Sequence, residues 1–291
     1  MSLSVIVISY NAGRLRQCLE ALTQQPEARE IIVADCSAED PAAHLAPLFP
    51  DVRFLHFQEK RSVPELRWAA FRLTRGHLIA SMEARSVPAR DWCAVLVRAH
   101  EEHPHAPVIG GPIALSAPAS RRDWGLYFCE YGQVAPPVRT GPVHDLSGAN
   151  ACYKREDLEQ AGDLLDAGSW ETLLHRRWRT EGRYPILSTA TVFFQNALPL
   201  AMVLRQRLAY GRGYAAARFD DARWLQSAAC AAFCPLLPLL LTIRRGWALR
   251  EKGLLPAFWS AFPWIVLFNG VWSVGELIGY LFGESGKVEI Y

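Results

Sequence analysis

The sequence feature that most constrains the fold is the alternation of short β-branched runs with helical segments near the amino terminus. Residues 4–9 (SVIVIS) and 30–34 (EIIVA) are continuous apolar runs of the kind that central parallel strands carry. Between them, residues 14–25 (RLRQCLEALTQQ) place their apolar side chains on one helical face. Strands that alternate with helices at this short spacing predict βαβ units, and therefore an α/β fold with a mostly parallel sheet flanked by helices.

Charged residues follow the next buried strand of this pattern. Residues 52–57 (VRFLHF) alternate as a third strand, and residues 62–73 (SVPELRWAAFRL) predict a helix. The apolar run at residues 78–80 then leads to Glu83 and Arg85. Ligands of α/β sheets bind at the carboxyl ends of the strands, where the loops converge. The pattern therefore predicts that Glu83 and Arg85 belong to a binding site.

The composition argues against several other classes of protein. The 291 residues carry a formal net charge of +2, which gives no electrostatic argument for a nucleic-acid partner. The seven cysteines are scattered and lack a C-x-x-C pair, so a reducing, cytosolic compartment is expected. No basic region precedes the first apolar run, which is interpreted as a strand and not as a signal peptide. The histidines at 100, 103 and 105 predict a solvated helix end in preference to a zinc site.

An ordered set of motifs resembles the family-2 glycosyltransferases, which have the GT-A fold, a Rossmann-like α/β fold. The resemblance covers roughly residues 3 to 213. It implies an inverting enzyme that moves a sugar from a nucleotide-sugar donor to a hydroxyl group. The motifs that carry it are VIVISYN from Val5, EIIVADCSAED from Glu30, VPELRWAAFRLTRGHLIA from Val63, EARSVPARDW from Glu83, GGP from Gly110, LSGAN from Leu146, YKR from Tyr153, and Trp170-Glu171 with Leu174 and Arg177.

The resemblance implies a donor-binding role for residues near the strand ends. Asp35 and the first motif would hold the nucleotide base and ribose, and Arg67 would contact the donor as well. For Asp35 an alternative remains open, because an aspartate after a strand also forms Asx turns with its own backbone. Ser9 and Asn11 are equally good turn formers. The implied donor-binding residues of this part of the chain are Ser9, Tyr10, Asn11, Asp35 and Arg67.

Residues 83–85 (Glu-Ala-Arg) occupy the position at which the family carries its metal-binding Asp-x-Asp motif. A divalent cation, Mg²⁺ or Mn²⁺, normally stabilises the charge that develops on the leaving diphosphate. A guanidinium would repel that ion, but it can pair bidentately with phosphate. Four interpretations remain open: Arg85 does part of the metal's work, the site is degenerate, Glu83 alone holds the metal with donor phosphates and water, or the two residues form an exposed salt bridge. Where the family often supplies a further histidine ligand, this chain has Phe193, Phe194 and Gln195.

Glu171 matches the catalytic base of the family. An inverting transfer needs a carboxylate near the acceptor hydroxyl to take its proton. The alternative is a first-turn acid that complements the helix dipole. By the same resemblance Asn150 and Trp170 would lie on the acceptor side, and the alternative for residues 147–150 is a turn before a strand.

The composition changes after residue 200. Residues 204–218 (LRQRLAYGRGYAAAR) form a basic helical segment in which the resemblance implies that Gln206 and Arg212 face the donor phosphates. The alternatives are an ordinary cationic helix face, or a surface that meets anionic lipid headgroups.

Two apolar segments close the sequence, at residues 224–243 and 254–282, and each is about long enough to cross a bilayer. The loop between them is basic, so two full spans would place positive charge on the far side of the membrane from the catalytic domain. A re-entrant or interfacial hairpin on the cytoplasmic face is therefore predicted. Glu276 agrees with this arrangement, because a lone carboxylate deep in hydrocarbon is costly. A soluble helical core or a dimer interface is the alternative.

Together these observations predict a GT-A domain at residues 1–200 and a membrane-associated helical region at residues 201–291. The expected partners are a nucleotide sugar, a membrane, and a lipid or glycolipid acceptor. The competing hypothesis is a catalytically degenerate subunit that binds nucleotide sugars or acts as a scaffold in a membrane glycan-assembly system.

Overall fold

A computed structural model of the chain describes residues 1–10, 14–166, 171–196, 198–216 and 224–283. The chain divides into two compact units. The first comprises residues Met1–Ser116 and Val134–Gln195, and the second comprises Ala117–Gln133 and Asn196–Tyr291.

The described residues alternate strands and helices along the first unit and are helical in the second. The strands are β1 Leu3–Ser9, β2 Ala28–Asp35, β3 Val52–His56, β4 Leu78–Glu83, β5 Ser86–Pro88, β6 Val108–Gly110, β7 Ile113–Leu115, β8 Gly141–Pro142, β9 Asn150–Lys154, β10 Ile186–Leu187 and β11 Val192–Phe194. The helices are α1 Leu15–Leu22, α2 Ala42–Leu45, α3 Val63–Phe71, α4 Trp92–Glu102, α5 Arg121–Tyr131, α6 Arg155–Gln160, α7 Gly162–Asp166, α8 Glu171–Thr180, α9 Leu200–Ala216, α10 Trp224–Phe233, α11 Leu237–Arg250 and α12 Leu255–Phe282.

The large sheet of the first unit has the order β3-β2-β1-β4-β9-β6-β10-β8. Strand β1 lies between β2 and β4 and is parallel to both, and β3 is parallel to β2. Because β1 has a neighbour on each side and helices cover the sheet, every one of its residues is buried. Its continuous β-branched sequence is the composition that such a position requires. Strand β9 is antiparallel to both β4 and β6.

The register of the parallel strands brings their carboxyl ends to one edge of the sheet. Ser9 at the end of β1 lies opposite Asp35 at the end of β2, and Asp35 lies opposite His56 at the end of β3. On the other side of β1, Ile8 lies opposite Glu83. The polar residues that follow these strands in the sequence are therefore neighbours across the sheet.

A smaller sheet, β5-β11-β7, continues the chain beyond Glu83. Strand β5 begins at Ser86 and pairs antiparallel with β11, whose residue Phe194 lies opposite Ser86. The backbone N–H of Gln195 donates to the carbonyl oxygen of Arg85 over 2.9 Å. The residue that follows Glu83-Ala84 is thus held by a strand from much later in the sequence.

Helix α3 begins with a complete capping box. The Ser62 side chain accepts from the backbone N–H of Glu65, and the Glu65 carboxylate accepts from the backbone N–H of Ser62. Pro64 lies in the first turn, where a backbone N–H has no acceptor within the helix, so proline costs no helical hydrogen bond. The helix packs on β1 and β2 and buries Arg67 together with its apolar residues. The capping box of Ser62 and Glu65 therefore determines where the helix that carries Arg67 begins.

The prediction of a solvated histidine cluster is wrong for His100. That side chain is fully buried in α4, and its Nε2 lies 3.0 Å from the carbonyl oxygen of Cys152. The helical spacing explains the error, because Leu96 and His100 lie one turn apart on the buried face. Burial lowers the pKa of His100 to about 4, so the ring is neutral at neutral pH. His103 and His105 are exposed, as the prediction requires.

The second unit consists of α5 and helices α9 to α12. A three-residue 3-10 segment, Cys234–Leu236, separates α10 from α11, and Pro235 lies within it. Proline removes a backbone donor and ends regular α-helix geometry, which accounts for the interruption. Helix α12 continues for 28 residues through Pro263. It packs against α9 so closely that a side chain at Gly211 would overlap the backbone carbonyl of Trp272.

Two helical stretches of this unit, Gln226–Arg250 and Leu255–Phe282, have the length and composition of membrane-crossing helices. Length and composition alone give only weak evidence of a membrane. Many of their large apolar side chains are nevertheless exposed, including Leu239, Trp247 and Trp259.

The fold class predicted from the sequence is confirmed: the first unit is an α/β fold with a mostly parallel sheet flanked by helices, and two long apolar helical stretches follow. The boundary between the first unit and the second lies between residues 195 and 196. Residues 117–133 belong to the same unit as the carboxyl-terminal helices. The predicted functional division at residue 200 stays a prediction.

Candidate active site

Asp35 is held in a fixed orientation at the end of β2. It is buried, and its carboxylate accepts from the Ser37 backbone N–H over 3.0 Å and from the Ser37 hydroxyl over 2.5 Å. The Nδ1 atom of His56 lies 2.8 Å from Asp35 Oδ2. The contact with Ser37 is the Asx-type turn that the sequence left open. Two strands therefore contribute to the position of this carboxylate.

His56 belongs to the site, although the sequence motifs did not indicate it. The available signal was its position at the end of the third predicted strand, because carboxyl ends of parallel strands meet at one edge. Ser9, one strand away from Asp35, is also buried, and its hydroxyl has no hydrogen-bond partner within the described part of the chain. Asn11 lies outside the described residues.

Glu83 and Arg85 form a buried ion pair. The Arg85 Nη2 and Nε atoms donate to Glu83 Oε2 over 2.8 and 3.1 Å, and both side chains are nearly inaccessible to solvent. The hydroxyl of Tyr10 lies 3.5 Å from the same oxygen, and the Arg85 guanidinium lies over the rings of Tyr10 and Phe194. The alternative of an exposed salt bridge is therefore wrong, because the two side chains are buried. The pair itself is present.

These residues do not fit a divalent cation. A Mg²⁺ or Mn²⁺ site needs several oxygen ligands, usually from carboxylates. Glu83 supplies the one carboxylate of the motif, and its Oε2 accepts from a guanidinium. Among the residues that the structure describes, no group of three or more His, Cys, Asp or Glu side chains could hold a metal ion. Of the three residues that the resemblance puts near the family's histidine ligand, Phe193, Phe194 and Gln195, the last accepts from Arg14 over 2.8 Å.

Arg67 and Glu171 form a second ion pair, between helices α3 and α8. The Arg67 Nη1 atom donates to Glu171 Oε1. Burial lowers the pKa of the Arg67 guanidinium, but the nearby Glu171, Tyr153 and Glu83 outweigh burial and raise it above its ordinary value. Arg67 therefore stays charged.

Gly148 makes this second pair sterically possible. A Cβ atom at position 148 would overlap the carboxylate of Glu171 and lie 2.6 Å from Arg67 Nη1. The SGAN loop thus approaches the ion pair with bare backbone, and a close approach of this kind is a common reason for glycine. The loop that the resemblance assigned to the acceptor side does contact Glu171.

Asn150 is buried, and its side chain connects several segments of the first unit. Its Oδ1 accepts from Trp92 Nε1 over 2.8 Å, and its Nδ2 donates to the carbonyl oxygens of Pro112 and Ala190 over 3.0 and 2.8 Å. One side chain thereby joins three segments of the first unit. Its predicted acceptor-side role stays a prediction, and Trp170 lies outside the described residues.

Substituting Asn150 with alanine should lower the free energy of unfolding by about 3 kcal/mol, because the substitution leaves buried groups of three partners without hydrogen bonds. Thermal and urea unfolding would measure the change. The control is Gln17→Ala on the exposed side of α1, which should stay within about 0.5 kcal/mol of the wild type. Unchanged stability of Asn150→Ala would contradict the structural role.

Gln206 and Arg212 lie on α9, in the second unit. Gln206 is buried and its Nε2 atom donates to the Tyr210 hydroxyl over 3.1 Å. Its Oε1 atom has no hydrogen-bond partner in the described ranges. The Arg212 Nε atom donates to the carbonyl oxygen of Gly283 over 3.1 Å. The donor-binding role implied for both residues stays a prediction.

The arrangement defines an α/β protein with acidic and basic residues collected at the carboxyl ends of parallel strands, which is a nucleotide-binding class of fold. Residues 4–162 match glycosyl transferase family 2. The chain belongs to this family. Glu171 lies beyond the matched residues, so its role depends on the geometry described above and on the resemblance of its own motif.

One curated relative and two solved structures illustrate the similarity. A stretch of 116 residues is 32% identical to an uncharacterized glycosyltransferase, YfnE, of Bacillus subtilis strain 168, and it covers 38% of this chain and 30% of that protein. The chain thus spans well under two thirds of the curated relative that it matches.

The mannosyltransferase PcManGT of Pyrobaculum calidifontis, solved with GDP-Man and Mn²⁺, has a TM-score of 0.59 and 18% identity, covering 97% of this chain and 88% of that one. Residues 1–349 of S. aureus TarS, solved with UDP-GlcNAc, have a TM-score of 0.51 and 14% identity, covering 96% and 91%. At these identities the two structures show the fold.

Proposed function

We propose that this chain transfers a sugar from a nucleotide-sugar donor to a hydroxyl group with inversion at the anomeric carbon. The observation that carries the proposal is that Asp35 and the Glu83–Arg85 pair lie at the carboxyl ends of β2 and β4, in the same unit as the Arg67–Glu171 pair. The family membership and the nucleotide sugars bound by the similar solved proteins support it.

Each residue has a distinct part in the proposed reaction. Asp35, fixed by Ser37 and His56, would accept hydrogen bonds from the nucleotide. As the acceptor oxygen bonds to the anomeric carbon, Glu171 takes the hydroxyl proton. The bond between that carbon and the diphosphate oxygen breaks, and the nucleoside diphosphate leaves with the electron pair. Guanidinium groups stabilise the charge that develops on it.

The cation in this reaction would be Arg85. A guanidinium offers a fixed fork of donors that matches phosphate oxygens, and it is preorganised here by Glu83 and by the rings of Tyr10 and Phe194. Preorganised charge in a buried site acts more strongly than charge in water. The proposed transfer is therefore independent of divalent metal.

The proposed acceptor is lipid-linked or membrane-embedded, and the proposed location is the cytoplasmic face of a membrane. The support comes from the second unit, where Trp247 is 71% and Trp259 is 63% exposed on helical stretches of membrane-like composition. Tryptophan at such positions is typical of membrane interfaces. Exposed Arg244 and Arg250 add charge that suits anionic headgroups.

A binding or scaffolding subunit is the second candidate. The observation that favours it is that both acids of the site, Glu83 and Glu171, are paired with arginines in the described structure. A carboxylate oxygen that accepts from a guanidinium is not free to take the proton of an acceptor. Under this hypothesis the chain binds nucleotide sugars without turning them over.

The test is a screen of the purified chain in detergent against a panel of nucleotide sugars, with Mg²⁺, with Mn²⁺ and with EDTA. Turnover that is unchanged by EDTA is expected, because the proposed cation is the Arg85 guanidinium. Heat-denatured protein is the control. Turnover that requires Mn²⁺ would contradict the role of Arg85. Binding without turnover, even with membrane lipids as acceptors, would favour the scaffold.

A further inference from the structure

Each arginine of the two ion pairs of the site is already matched by one carboxylate. Arg67 is paired with Glu171 and Arg85 with Glu83, and both arginines are buried. A donor diphosphate is an anion, and an anion enters a buried site at acceptable cost only when it is paired with cations. Arg85 can address the diphosphate while it stays paired with Glu83, and a second guanidinium that leaves its carboxylate would neutralise the anion further.

The pair between Arg67 and Glu171 is the one that can open. Glu83 and Arg85 are two residues apart, share two hydrogen bonds, and have side chains only 10% and 6% exposed. Glu171 lies on a different helix from Arg67, and its side chain is 32% exposed. Once released, Glu171 can be solvated, whereas Glu83 would remain buried and unpaired.

Arg67 also has hydrogen-bonding capacity in reserve. Its Nε atom is buried and has no hydrogen-bond partner among the residues that the structure describes. A guanidinium carries five N–H donors, so Arg67 can address a phosphate with atoms that Glu171 does not use. A buried donor of this kind normally has a partner, and an anionic ligand would supply it.

We propose that the donor diphosphate takes Arg67 away from Glu171, so that the catalytic base becomes available only after the donor is bound. This inference rests on the proposed function. Before donor binding, Arg67 occupies Oε1 of Glu171 with a hydrogen bond. After binding, the arginine neutralises the diphosphate and Glu171 is free to accept the acceptor's proton. The order of events is then donor first and acceptor second.

The proposal predicts that Glu171 and the donor compete for Arg67, and this competition is measurable as binding alone. The probes are UDP, GDP, CDP and inorganic pyrophosphate, titrated calorimetrically in EDTA. Glu171→Gln should bind the nucleoside diphosphate that the wild type prefers about tenfold more tightly, because a neutral amide holds the guanidinium less strongly. In an Arg67→Met background the same substitution should change the affinity less than twofold.

A matched control is available in the pair between Arg183 and Asp157, which is separated by 2.6 Å and includes a buried carboxylate of the same unit. Asp157→Asn also removes an acid from an arginine, and it should leave nucleotide affinity unchanged. If Arg67→Met does not fold, the corresponding nucleoside replaces it as the comparison. The nucleoside lacks the diphosphate, so it should bind Glu171→Gln and the wild type equally.

Three outcomes overturn the proposal. In the first, Glu171→Gln does not bind the nucleoside diphosphate more tightly than the wild type. In the second, the gain in affinity from Glu171→Gln is the same in the Arg67→Met background. In the third, Glu171→Gln raises the affinity for the nucleoside as much as the affinity for the nucleoside diphosphate. None of these contradicts the proposed function, since the wild type would still bind its nucleotide. Failure of the wild type to bind any probe would instead overturn the proposed function and this inference with it.

Discussion

Glutamine in place of Glu171 is expected to lower the turnover of sugar transfer by a factor of about 10² to 10⁴, the range that a positioned general base contributes. The amide keeps the size and the hydrogen-bonding oxygen of the carboxylate, but it cannot take the acceptor proton. Helix α8 should still form, because Glu171 is its first residue and is partly exposed. Turnover at saturating donor and acceptor is the measurement.

The control for this experiment is Glu181→Gln, at the residue that directly follows helix α8. Glu181 is exposed and lies 3.6 Å from Arg177, and exposed pairs of this kind contribute little to stability. Its substitution should leave turnover within about twofold of the wild type. Full activity of Glu171→Gln would show that another group takes the proton. Loss of nucleotide binding in that variant would show instead that Glu171 has a structural role.

The frame of the site was predictable because local sequence determines it. The run at residues 4–9 is buried on both faces, and this position admits few residues other than β-branched and aliphatic ones. Once the parallel strands were predicted, the rule for their carboxyl ends placed Asp35 and Glu83 at the same edge. The register of β1 against β2 and β4 bears this out.

The pairing of Arg67 with Glu171 was not predictable, because 104 residues separate the two and no local pattern connects them. A weaker signal did exist. Arg67 lies beside Leu66 and one turn before Ala70 and Phe71, on the face of α3 that packs on the sheet. A buried arginine requires a partner, so the pattern indicates an acid nearby without indicating which one.

The grouping of α5 with the carboxyl-terminal helices was missed for a similar reason. Gly125 of α5 meets Trp264 of α12, and Arg245 donates to the carbonyl oxygen of Phe128 over 2.7 Å. These contacts bridge more than a hundred residues of sequence. The composition of residues 117–133 does not distinguish a helix of one unit from a helix of the other, since helical periodicity reports an apolar face and not its partner.

Aspartate in place of Arg85 is expected to make transfer dependent on Mn²⁺, which is the sharpest test of how this site handles the diphosphate. The substitution removes the guanidinium that donates to Glu83 Oε2. It adds a second carboxylate at position 85, two residues after Glu83. Two carboxylates at a strand end provide the oxygen ligands that Mn²⁺ and Mg²⁺ prefer.

Without added metal, turnover of Arg85→Asp should fall by about 10²-fold or more, because Arg67 alone then offsets the charge on the leaving group. Mn²⁺ should restore part of the activity, and it should bind this variant in the absence of any substrate, as measured by calorimetry. Arg85→Gln is the matched control, since it removes the cation without adding a ligand. It should lose the same activity and gain no Mn²⁺ binding. Equal rescue of both variants by Mn²⁺ would mean that Glu83 alone suffices to hold the ion, and the wild-type pairing would then be an obstacle to metal and not its replacement.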